Sequence, residues 1–135
     1  MLTLTDTSGW TYEGWVVDNS GAQLDYYSTG KFRSGDGVDS DFAGVTAGTE
    51  GEGFPHPGQD FIRGIGGIPG LPQLDNGNYE LRITLEPAPD NSPGPFFIDI
   101  LADDIIGPNI KDSEAVQSMQ NRAQAFPSAT VRIDR

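Results

Sequence analysis

A lone histidine, a loop of aspartates and a few strand acids are the residues of this chain with chemistry to offer. His56 stands in Phe54-Pro55-His56-Pro57-Gly58. A catalytic base needs a nucleophile or substrate proton within hydrogen-bond reach and an orienting carboxylate. No Gly-x-Ser-x-Gly elbow accompanies it, and the flanking prolines place it in a surface turn. Asp36, Asp39 and Asp41 lie in Arg33-Ser34-Gly35-Asp36-Gly37-Val38-Asp39-Ser40-Asp41. Aspartates clustered in a glycine loop are ligands for a hard cation such as Ca2+, although the spacing is not that of the helix-loop-helix calcium motif. These three are the metal candidates, against the alternative of a solvated acidic loop. Asp103-Asp104 and Glu50-Gly51-Glu52 offer less. Glu13 and Glu86 are strand acids, exposed by default, and a glycosidase pair would need them facing each other across a cleft. Gly64-Ile65-Gly66-Gly67 lacks the lysine and the βα unit of a phosphate loop. Trp10, Trp15, Tyr26 and Tyr27 have faces on which a sugar could stack, but on alternating strands such residues serve as core and cross-strand partners.

Composition narrows the class. The 135 residues make one domain, spanning 1–135. With 18 Gly and 10 Pro, much of the length is turn, which excludes a helical bundle. Eight basic residues against 20 acidic ones give a net charge of −12. So acidic a chain is a poor partner for nucleic acid or an anionic membrane, both of which require a basic patch. Cysteine is absent, which removes disulfides, thiolate nucleophiles and zinc-thiolate sites. One histidine excludes a two-histidine metal site. No run approaches the length of a membrane span.

The elements that must position these residues are strands. Trp10, Tyr12 and Val16 fall on one face, and Thr11, Glu13, Trp15 and Val17 on the other. The turn Asp18-Asn19-Ser20-Gly21 leads to a returning strand over 24–32. The clearest alternation runs over 79–86, with Tyr79, Leu81, Ile83 and Leu85 opposed to Glu80, Arg82, Thr84 and Glu86. A Pro-rich connection leads to a strand over 96–101, and Ala129, Val131 and Ile133 close the series. Residues 34–74 are too long for a structureless loop and predict short hidden strands. Val116, Met119 and Ala123 predict one peripheral helix near 112–124. The fold expected is all-β: an antiparallel β-sandwich of about six to eight strands.

Several segments, taken in order, resemble a known family. Trp10-Thr11-Tyr12-Glu13-Gly14-Trp15-Val16-Val17 precedes Tyr27-Ser28-Thr29-Gly30-Lys31-Phe32, and Ile83-Thr84-Leu85-Glu86-Pro87 precedes Asp90-Asn91-Ser92-Pro93-Gly94-Pro95. This looks like the extracytoplasmic, C-terminal domain of anti-sigma-K-type factors, which also occurs in secreted and surface proteins of bacteria and archaea. The resemblance is strongest over 10–101 and rests on Tyr12, Trp15, Ser28, Gly30, Phe32, Thr84, Glu86, Pro87 and Pro93. It does not carry sigma binding, since these 135 residues include neither the helical sigma-binding segment nor a membrane helix. What it implies is an extracytoplasmic, non-enzymatic binding or sensor module with a protein partner and no required cofactor. The motif residues have structural tasks to match: Gly30 permits a bulge, Pro87 ends ladder donation and the aromatics fill a core. Two alternatives remain, a surface assembly or filament subunit joined by strand-edge pairing, and a small carbohydrate-active or hydrolytic protein.

Overall fold

The structure, a computed structural model, describes residues 2–5, 8–36, 57–58, 74–107, 118–122 and 132. They are all-β, with five antiparallel strands in a single sheet. β1 is Trp10–Asp18, β2 Asp25–Phe32, β3 Tyr79–Pro87, β4 Asp99–Asp103 and β5 Gln120–Asn121. The spatial order is β2-β1-β3-β4-β5, so β1 and β3 are paired on both sides. Among the described residues no second sheet faces the first, and the sandwich expected from sequence is not seen. The expected helix near 112–124 is corrected at Gln120 and Asn121, which pair with Ala102 and Leu101 as β5. Ladder hydrogen bonds outweigh a short amphipathic pattern, because helices this brief are marginal without packing. The strand predicted over 96–101 instead begins at Asp99. Phe96 spends its amide on Glu86, and the Ile98 carbonyl accepts the Leu85 amide. The predicted terminal strand lies outside the described residues except for Arg132, as do most of 34–74.

Local chemistry explains the element ends. Asp18 stops β1 by accepting the Ser20 amide at 2.8 Å, the Asx turn expected there. Hydrogen bonding from the Ser20 side chain, then from this amide and from Tyr79, holds the Asp18 carboxyl below its ordinary range. β3 enters from an equivalent turn, where Asn76 accepts the Asn78 amide at 2.9 Å. Its last residue, Pro87, faces Trp10 and has no N–H to extend the ladder.

The apolar face of the sheet centres on Val16, Tyr79 and Ile106, with Tyr27, Leu74 and Leu81 packed around them. Further along, Tyr12 and Phe32 pack ring to ring at 5.6 Å. Gly107 closes this region against the turn that precedes β3. Its φ is 96°, and a Cβ there would lie 2.6 Å from the Asp75 carbonyl oxygen. Gly107→Ala is therefore expected to cost about 2 kcal/mol, from the left-handed backbone and the clash together. Urea denaturation checks this, and a loss below about 0.5 kcal/mol would show that the Asp75 turn simply yields.

Candidate functional site

All seven residues from Thr11 to Val17 are buried, so β1 is covered on both faces. Cross-strand partners share a face. On the face opposite the apolar core, Glu13 therefore stands between Lys31 of β2 and Thr84 of β3, with Glu86 beside it opposite Thr11. β2 reaches this arrangement through a bulge. Gly14 faces Gly30, but Trp15 faces Ser28, which leaves Thr29 as the extra residue. Gly30, at φ 116°, supplies the conformation this needs. In a regular ladder Thr29 would point to the Glu13 face; the bulge puts Ser28 there instead.

The side chains form a continuous polar network inside the sheet. The Trp15 indole N–H donates to Thr84 Oγ1 at 2.9 Å, and the Thr84 hydroxyl donates to Glu86 Oε1. The same Glu86 oxygen accepts the Phe96 amide at 2.9 Å. Ser28 donates to Glu13 Oε1 at 2.6 Å and is itself held by the Gly30 amide at 3.2 Å. The 88–97 connection then brings in Asp90, whose Oδ1 accepts the Ser92 amide at 2.8 Å. Lys31 Nζ stands 3.8 Å from Glu13 Oε2 and 3.4 Å from Asp90 Oδ2.

Three carboxylates thus meet in the interior. Glu86 is fully buried, Glu13 is 3% exposed and the Asp90 side chain 4%. Each residue offers a carboxylate oxygen that lies within 4.8 Å of the other two. Each also keeps one oxygen, Glu13 Oε2, Glu86 Oε2 or Asp90 Oδ2, that accepts no hydrogen bond. Buried charge left incompletely matched is costly. The cost registers at Glu13, whose pKa is pushed up to about 7. Burial dominates, the Ser28 hydroxyl and Lys31 pull the other way, and the negative charges of Glu86 and Asp90 add to the rise.

The residues singled out by sequence divide sharply. Trp15, Ser28, Thr84 and Glu86 belong to the network, and Gly30 shapes it. Tyr12 and Phe32 pack together on the other face, Pro87 ends the ladder, and Pro93 is exposed in the connection. Glu13 and Glu86 are buried rather than exposed, a correction to the default for strand acids. Of the metal candidates, Asp36 is exposed in a bend where its amide donates to Ser34 Oγ. Asp39 and Asp41 lie outside the described residues, as do His56, Glu50, Glu52 and the 64–67 glycines. Asp104 pairs with Arg122. Tyr26 meets Trp15 edge-on at 6.4 Å, making it a cross-strand partner rather than a free platform. Asp90 was missed as a site residue; its signal was the Asp-Asn-Ser turn just after a strand ending in Glu86-Pro87.

Compared with protein-family models, with curated proteins and with solved structures, the chain matches none.

Proposed function

We propose that this chain is a non-enzymatic binding or sensor module that works outside the cytoplasm, secreted or at the cell surface, with a protein as its partner. One observation carries the reading: Tyr12, Trp15, Phe32, Thr84 and Glu86, the bulk of the motif behind the resemblance to anti-sigma-K-type domains, are buried in the sheet as structural residues. Glu13 and Glu86, the strand acids weighed as a glycosidase pair, have exposures of 3% and 0%. A substrate cannot reach carboxylates so enclosed, whereas glycoside hydrolysis requires both to touch the scissile bond. The net charge of −12 supports a role in solution or at a surface rather than on nucleic acid.

Strand-edge assembly is the second reading, because β2 is a full-length terminal strand of the sheet. Gly58 lies against Thr29 at the middle of that strand and obstructs the edge there. The test pairs cell fractionation and N-terminal sequencing of the native protein with a panel of glycosides, esters and phosphates. An extracytoplasmic protein with no turnover on the panel is expected. Turnover lost in a folded Glu86→Gln variant, or a purely cytoplasmic location, would overturn the proposal. Light scattering at high concentration separates the assembly reading, which requires growth beyond the monomer.

A further inference from the structure

We propose that Glu13, Glu86 and Asp90 together bind a hard divalent cation of the calcium class, which displaces the Lys31 ammonium from between them and fastens the 88–97 connection to the sheet. The donor set contains only carboxylate oxygens, the preference of Ca2+ and Mg2+ rather than of softer metals. The oxygens offered lie within 4.8 Å of one another, a span that ions with oxygen ligands at 2.3–2.6 Å can bridge. All three side chains are more than nine-tenths buried, and all three retain an oxygen without a hydrogen bond. Among the described residues the Lys31 ammonium faces the carboxylates, 3.8 Å from Glu13 and 3.4 Å from Asp90. Lys31 is 26% exposed, so its head can leave for solvent while its stem stays on the sheet. Calcium fits better than magnesium, because its larger and variable shell accepts crowded carboxylates without strict octahedral geometry.

Among the described residues, the ionisable groups facing the centre are Glu13 from β1, Lys31 from β2, Glu86 from β3 and Asp90 from the connection. The affinity expected is that of extracellular calcium modules, roughly 0.1–1 mM. The experiment uses the whole chain, stripped with chelator, and follows thermal unfolding with Ca2+ or Mg2+ and Trp-sensitised Tb3+ emission. Saturating Ca2+ should raise Tm by roughly 5–10 °C. Asp90→Asn keeps the oxygen that accepts the Ser92 amide and should fold with an unliganded Tm at or above wild type. It should lose at least roughly tenfold in Ca2+ affinity, the loss of one charged ligand among three. Glu86→Gln serves as the second variant where it folds. No Tm or Tb3+ response at millimolar Ca2+, or a response intact in Asp90→Asn, overturns the site. An equal response to Mg2+ overturns the calcium-class assignment, and a response lost only in Asp36→Asn moves it to the acidic loop. The outcome is independent of whether the module reading holds, because that rests on location and turnover.

Discussion

Trp15→Ala is expected to remove roughly 4–5 kcal/mol of stability, enough to leave a protein of ordinary stability largely unfolded at 25 °C. Trp15 is 2% exposed, so its loss opens a cavity the size of an indole between β1 and the cover of that face. The cavity is only part of the cost. The Trp15 N–H is the donor to Thr84 Oγ1, and Thr84 in turn donates to Glu86. Without the indole, a fully buried hydroxyl loses its donor beside a carboxylate that already has an unmatched oxygen. Trp15→Phe separates the two contributions, because it restores most of the volume and none of the hydrogen bond. It should fall between wild type and the alanine variant, about 1–3 kcal/mol below wild type. Urea midpoints at constant slope measure both. A loss under about 1 kcal/mol for the alanine variant would show that the face is not packed as described.

The second large effect is one of pH. Glu13 has a folded pKa of about 7 against an ordinary value of 4.5. The native state therefore holds this proton more tightly than the unfolded chain does. The resulting stabilisation is complete below about pH 4.5 and is lost as pH rises through 7, a swing of roughly 3 kcal/mol. In the presence of chelator the protein should accordingly be more stable at pH 5 than at pH 8. Glu13→Gln should flatten that slope and stabilise the protein at pH 8, because the amide occupies the site without charge. Among the described residues the other shifted groups fall outside this window: Asp18 is lowered and acts further to the acid side, while the raised Tyr12, Tyr27 and Tyr79 act further to the alkaline side. Chemical denaturation at several pH values decides the matter. An unchanged slope in Glu13→Gln would assign the effect to another group.

Alternation located three strands almost to the residue. β1, β2 and β3 begin and end within one position of the segments read over 10–17, 24–32 and 79–86. β4 was misplaced because Phe96 commits its amide to the Glu86 side chain, a contact with no period, and the ladder begins only at Asp99. The bulge at Thr29 was implied by Gly30, but which side chains it re-aims depends on register, a property of two strands together.

The site was half visible. Period-two reading sorts side chains between faces without saying which face meets water. The clue lay within β1 itself, where Trp15 and Val17 share a face with Thr11 and Glu13. Two large apolar residues on the supposedly polar side mean that this side is also covered, and its acid is then interior. Asp90 could not be assigned the same way, since only the path of the connection brings it to the strands.

β1 occupies the middle of the sheet, yet its two partners lie at very different distances along the chain. β2 follows immediately and closes a hairpin over a few residues, whereas Trp15 and Thr84 are separated by 69 positions. Contacts that distant impose the larger closure cost and set the pace of assembly. The hairpin can thus form first with its tryptophan and its glutamate still wet. The arrival of β3 dries both in one step, so the barrier to folding and the expulsion of water from a charged group coincide.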